Sequence, residues 1–231
     1  MPNKETKPDY LGHRERLRKR FDADDGKSMA DYELLEFVLM GIIPRKDVKP
    51  ISKRLIKKFG NLCNVLNASS KELKEVEGIG ERVGSYLKAI CRCSERMSWE
   101  HLSEKDIPVL AEWDSMVNYC RSSMGHLKVE EFRVILLDIH CKLIKEEIMQ
   151  RGTIDNVSVH PREVIKVAIN NNAMKMILVH NHPSGNTMPS QNDLNMTKQI
   201  KKIADDIGIE IIDHLIVSKN IVYSFKDHGV F

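Results

Sequence analysis

Two histidines separated by one residue, followed eleven residues later by an aspartate, make the part of this chain best suited to chemistry: His180-Asn-His-Pro-Ser-Gly-Asn-Thr-Met-Pro-Ser-Gln-Asn-Asp193. Met174 to His180 reads as a short apolar strand. Side chains two apart on a strand point to one side, so His180 and His182 can share an ion. Pro183, Ser184 and Gly185 then turn the chain, and Pro189-Ser190 opens a helix whose first turn carries Asp193. Two imidazoles and one carboxylate suit a single zinc ion per chain, bound at about 2.0–2.1 Å. Three protein ligands leave a fourth position open, as in catalytic zinc sites. Such an ion makes hydroxide available near neutral pH. Ser190-x-x-Asp193 is also a plain helix-capping arrangement, and the two roles are compatible.

The elements around this segment change texture midway along the chain. Apolar spacing predicts helices over Leu34–Leu39, Val48–Phe59, Ser69/Ser70–Val76 and Val83–Ile90, with no strand pattern before residue 105. Beyond it, Phe132–Asp138 and Lys142–Met149 read as a strand hairpin, and Pro161 opens a helix through about Asn170. After the Met174–His180 strand come a helix over Ser190–Ile207 and strands over Ile209–Val217 and Ile221–Phe225. The fold class expected is α/β (α+β): a mixed sheet flanked by helices, preceded by an all-α module. The domains expected are residues 1–105 and 106–231.

The metal segment resembles the signature of JAMM-type metalloproteases, H-x-H, seven residues, S-x-x-D. More closely, His180-Asn-His-Pro-Ser-Gly with the following Pro-Ser-x-x-Asp resembles the RadC family. Gly152-Thr153, Val159-His-Pro-Arg-Glu163 and Asp213-His-Leu-Ile-Val217 support this, and the similarity covers almost the whole chain. One departure is Asn186, where an acidic residue is expected. The resemblance implies an MPN/JAB-like domain and a zinc-dependent hydrolase that acts by metal-activated water, with an amide or isopeptide bond as the JAMM-type substrate.

Such chemistry needs a base, and the sequence offers Glu130, Glu131, Glu146, Glu147 and Glu163. Glu130 fits the E-x-F pattern expected of the family. Ser190 corresponds to the motif serine that helps stabilise the oxyanion in JAMM enzymes. His214 and His160 read either as core histidines or as partners that orient a ligand.

Ahead of this domain, Leu73-x-x-Val76-x-Gly78-Ile79-Gly80-x-x-Val83 resembles a helix-hairpin-helix motif. Backbone amides near Gly78 and Gly80, with Arg82 beside them, could approach a phosphate, making residues 71–90 a candidate for sequence-independent DNA contact. Glu75, Glu77 and Glu81 crowd the same turn. Residues 1–105 hold 22 Lys and Arg against 17 Asp and Glu, and residues 106–231 hold 14 against 16, so the overall +3 hides a basic front half. The alternative function is therefore a DNA-associated repair or recombination factor, with metal-dependent nuclease activity or none. The most apolar stretch, Leu34–Ile43, is too short to span a bilayer, and the five cysteines lack paired spacing. A cytoplasmic protein acting on a protein or peptide substrate, without membrane contact, is expected.

Overall fold

A computed structural model describes residues 12–44, 46–104, 107–152 and 159–230. The chain divides into two compact units, Met1–Ser94 and Glu95–Phe231, with the division inside one long helix. The domain junction expected at residues 105 and 106 lies outside the described residues, as does Thr153 of the Gly152-Thr153 segment.

The first unit is helical. It holds α1 (His13–Asp24), α2 (Asp31–Ile42), α3 (Lys49–Phe59), α4 (Leu62–Asn67), α5 (Ser70–Lys74) and the opening turns of α6 (Glu81–Glu104). Leu35, Leu39, Ile51, Leu55, Leu73 and Leu87 are buried together, so each helix turns one stripe inward. The turn between α5 and α6 depends on Gly78. Its φ is +94°, and a Cβ there would lie 2.8 Å from Ile51 Cδ1, so a side chain is excluded twice over.

The second unit is built on one five-stranded sheet. After α7 (Trp113–Met124) come β1 (Glu130–Leu137), β2 (Leu143–Gly152), α8 (Pro161–Asn170), β3 (Lys175–Asn181), α9 (Gln191–Asp206), β4 (Glu210–Val217) and β5 (Val222–Ser224). The strand order is β2-β1-β3-β4-β5. Only β3 and β4 are parallel, and α9 supplies the crossover between them that a parallel pair requires. Helices cover both faces. Ile135, Ile177, Val179 and Leu215 pack with Met116 and Met124 of α7. Val134, Leu178 and Phe132 pack with Val164 of α8 and Ile200 of α9. Burial on both faces explains why β1, β3 and β4 read as nearly unbroken apolar runs. This is the mixed sheet flanked by helices that the sequence led us to expect, with a helical unit ahead of it. Among the described residues no helix is long and apolar enough to cross a membrane.

Candidate metal centre

The site forms where β3 ends and α9 begins. β3 keeps its parallel ladder to Asn181, and the His182 amide adds one more bond to the Val217 carbonyl. Both histidines are therefore fixed by sheet backbone. The chain then folds back through a turn closed by the Gly185 amide on the His182 carbonyl, with Gly185 at φ +86°. Ser190 caps α9 in a full capping box: its hydroxyl accepts from the Asp193 amide, while its amide donates to Asp193 Oδ2. The cap aims the Asp193 carboxylate at the histidines.

Three side chains converge as a result, with both carboxylate oxygens of Asp193 near the two imidazoles. His180 Nε2 lies 3.0 Å from His182 Nε2 and 3.3 Å from Asp193 Oδ1, and His182 Nε2 lies 3.6 Å from Asp193 Oδ2. Ligands about 2.05 Å from a tetrahedral ion stand about 3.3 Å apart, so these separations suit one shared cation of zinc size. Among the described residues this is the one His/Cys/Asp/Glu cluster of three or more with such convergence.

Hydrogen bonding on the far sides of the rings strengthens the fit. His182 Nδ1 lies 2.6 Å from the Asn186 carbonyl, which can only accept, so Nδ1 carries a proton and Nε2 of the neutral ring is the nitrogen left to ligate. For His180 the chain of bonds is longer. Thr197 donates its hydroxyl proton to the Asp193 carbonyl at 2.6 Å and must therefore accept from His214 Nδ1, also at 2.6 Å. His214 Nε2 is left as an acceptor, 2.8 Å from His180 Nδ1, which in turn must carry a proton. His180 Nε2 is then also a bare lone pair. With His182 neutral, two lone pairs face each other at 3.0 Å beside a carboxylate, an arrangement that a shared metal ion or a proton on His182 relieves. The donor set fits a metal on chemistry as well as distance.

The electrostatics agree. Burial lowers the pKa of His180 to about 4, with Asp193 opposing and His182 adding to the shift, so His180 is neutral and ready to ligate at neutral pH. Burial drives His214 well below its ordinary value too. Burial would lower His182, but the hydrogen bond to Asp193, the Asn186 carbonyl and the charges of Asp193 and Glu130 outweigh it and raise its pKa. Burial would raise the Asp193 carboxyl. Its bonds with His182 and Ser190 and the charge of His180 instead hold it below the usual carboxylate range.

Of the five glutamates considered as a base, the structure brings Glu130 to the site. Phe132 pairs with His180 across β1 and β3, and continuing that register by two residues sets Glu130 opposite His182. Burial raises the Glu130 pKa, the His182 charge lowers it and the Asp193 charge raises it, so the carboxyl feels the charge of both residues. Glu131 points to the opposite face, fully buried against Arg133 and Arg151. Glu146 joins Arg133 and the Tyr119 hydroxyl there. Glu147 pairs with Lys145, and Glu163 with Arg162 and Lys166.

Other sequence expectations fall out unevenly. The Ser190 hydroxyl is committed to Asp193 Oδ2 at 2.7 Å, the capping role rather than one facing the open side of the site. Asn186 contributes its backbone carbonyl, which any residue supplies. Its side chain accepts from the Met188 amide, as an acid there would, so the departure from the expected acid is harmless. His214 is both buried and an orienting partner, whereas His160 is exposed at the N-cap of α8 with no side-chain cap bond. Thr197 was not singled out in the sequence. The available signal was its place four residues after Asp193, on the same face of α9.

In the helical unit, Gly78 and Gly80 do form a tight turn ahead of α6. A Cβ on Gly80 would meet nothing within 4 Å, and Arg82 is exposed and lies over the Tyr86 ring. The acids of the same hairpin are met by cations in part: Lys74 pairs with Glu81, and from α3 Lys58 pairs with Glu75 and Arg54 with Glu77, while Lys88 donates to the Asn67 carbonyl.

Comparison with known proteins agrees with this geometry. A family model described as a RadC-like JAB domain matches residues 110–230 and so contains the whole site. A UPF0758 protein of Ruegeria pomeroyi is 43% identical over 223 residues, 96% of this chain and 99% of that one. A UPF0758 protein of Rhodobacter capsulatus is 42% identical over 214 residues, 93% of this chain and 99% of its own length. With a matching domain over more than half of the chain and such relatives over nearly all of it, the chain belongs to the RadC family.

Proposed function

We propose that this protein is a zinc-dependent hydrolase of a peptide or isopeptide bond, with His180, His182 and Asp193 holding one zinc per chain. The observation that supports it best is the convergence of two Nε2 atoms 3.0 Å apart on the Asp193 carboxylate, with the far nitrogen of each ring already hydrogen-bonded. Zinc bound there would act as a Lewis acid and bring the pKa of water toward about 7. The chain's own groups supply the rest. Glu130, next to both the open side and His182, takes a proton from water and returns it to the leaving nitrogen. Its raised pKa suits it to both transfers. Ser190 keeps Asp193 aimed. In this reading its hydroxyl also serves the oxyanion once the carboxylate is committed to the ion. A single ion site without a second carboxylate cluster among the described residues favours amide over phosphodiester cleavage, for which paired ions are a common solution.

The test is zinc content together with hydrolysis of isopeptide, peptide and DNA substrates by the wild type and His182→Ala. About one zinc per chain is expected, lost or strongly weakened in the variant, with any amide hydrolysis lost too. Full zinc in His182→Ala would reject the ligand set, and cleavage of DNA but of no amide would reject the substrate class. DNA contact through residues 71–90 is the weaker reading, because the cations there are matched in part by acids. Binding of duplex DNA that falls steeply with added salt would revive it.

A further inference from the structure

The ladder between β1 and β3 stops at Phe132 and His180, two residues short of Glu130. A side chain continues it. Asn181 lies between the two histidine ligands and points to the opposite face of the sheet. Its Oδ1 accepts from the Glu131 amide at 2.9 Å, and its Nδ2 donates to the Val129 carbonyl at 3.1 Å. These two backbone groups flank Glu130. Asn181 is 1% exposed, so water cannot replace either bond. Only a side-chain amide offers a donor and an acceptor side by side at this reach: aspartate lacks the donor, and alanine lacks both. The next residue is pinned independently, because Glu131 is buried in its ion pairs with Arg133 and Arg151.

Building on the hydrolase reading, we infer that Asn181 is a positioning residue whose amide locks the start of β1 and so holds the Glu130 carboxylate over the metal centre. One residue thereby couples the strand that carries the ligands to the strand that carries the base. Without the amide, Val129–Glu131 has no ladder partner on the β3 side. Glu130 and Glu131 are then held only from the other side, by their pairing with Gly152 and Arg151 of β2, and the Glu130 carboxylate loses its anchor to the strand that carries the histidines.

Cobalt(II) in place of zinc gives a test that needs no substrate. The full chain is loaded with cobalt, and the pH midpoint of its visible absorption change is measured for wild type, Glu130→Gln, Asn181→Ala and Asn181→Leu. Glu130→Gln removes a negative charge beside the ion and should lower the midpoint by about one pH unit. Asn181→Ala should move it the same way by at least half as much, while cobalt affinity stays within about threefold because no ligand is touched. Asn181→Leu keeps the volume without adding a charge near the ion, so it carries the test if the alanine variant folds poorly. Wild-type midpoints in both Asn181 variants, alongside a shifted Glu130→Gln, would overturn this inference alone. An unshifted Glu130→Gln would overturn the role of Glu130 itself, and this inference with it.

Discussion

At the scale of single residues, what leaves His180 Nε2 free to ligate in the proposed metal site is decided far from that nitrogen. The Asp193 carbonyl can only accept, so Thr197 donates to it. Thr197 then accepts from His214, and His214 from His180. Replacing Thr197 by valine keeps the shape but removes the acceptor for His214 Nδ1. The His214 proton is then free to move to Nε2. That makes His180 Nδ1 the acceptor and puts a proton on the very nitrogen that should ligate. We expect Thr197→Val to weaken zinc binding about 10–100-fold, measured by competition with a chromophoric chelator, and Thr197→Ser to restore most of it. Equal affinities for the valine variant and wild type would mean that the relay does not set the tautomer. The two layers differed in how well they could be read from sequence. His180, His182 and Asp193 lie within one fourteen-residue segment whose spacing speaks for itself. Thr197 and His214 sit on α9 and β4, and only the fold makes them neighbours. Glu130 was legible only through resemblance to a family, since nothing local distinguishes it from Glu131.

Among the elements, sequence and structure agree most where burial imposes a strong period. β3, α8, α9 and β4 begin and end within a residue or so of their expected bounds, because each packs a well-defined apolar face. Two helical stretches were missed. α6 continues past Ile90 to Glu104, where Trp99 and Leu102 renew its apolar side, and α7 lies where no element is expected from the sequence. The inward positions of α7, Met116, Tyr119, Cys120 and Met124, do follow helical spacing, but Ser, Asn and Arg between them dilute the contrast. The β1–β2 hairpin hid something else. Under its α7 side Arg133 bonds Glu131 and Glu146, the Tyr119 hydroxyl caps Glu146, and Arg151 reaches Glu131 Oε2 in an ion pair without a well-aligned hydrogen bond. Charges at alternate positions of an edge hairpin look like surface residues in a sequence; here α7 covers them. Arg133→Met should therefore cost about 3–5 kcal/mol in denaturant unfolding, the cost of leaving a buried carboxylate short of its partner. Arg133→Met combined with Glu131→Leu should recover part of that loss. A single variant as stable as wild type would show that the network is hydrated.

For the molecule as a whole, the metal centre ties stability to pH, and the sign follows from the direction of each shift. In the metal-free chain His180 titrates near 4 when folded, against an ordinary value of 6.5, and His214 is likewise depressed. Between those limits the unfolded chain binds more protons than the folded one. The stabilisation is present above the ordinary histidine value and is lost as pH falls toward the folded one. A shift of that size amounts to roughly 3 kcal/mol for His180. His182 acts in the opposite sense: its raised pKa favours folding below the ordinary value, and the benefit fades as pH rises through the folded one. Two depressed groups outweigh one raised group, so acid should win. Zinc adds a term of about 4 kcal/mol at a free concentration a thousand times its Kd. That term also shrinks in acid, because a proton on His182 Nε2 competes for the position between the ligands. Both tryptophans, Trp99 and Trp113, lie in the unit of residues 95–231, so their fluorescence reports the unit that holds the site. The expected outcome is a fluorescence-detected melting midpoint that falls from pH 7 to pH 5 in the chelated protein, and a gap between zinc-loaded and chelated samples that narrows over the same range. A chelated midpoint that stays level across those two units would mean that the buried histidines are not held neutral by the fold, and the case for ready-made lone pairs at His180 would go with it.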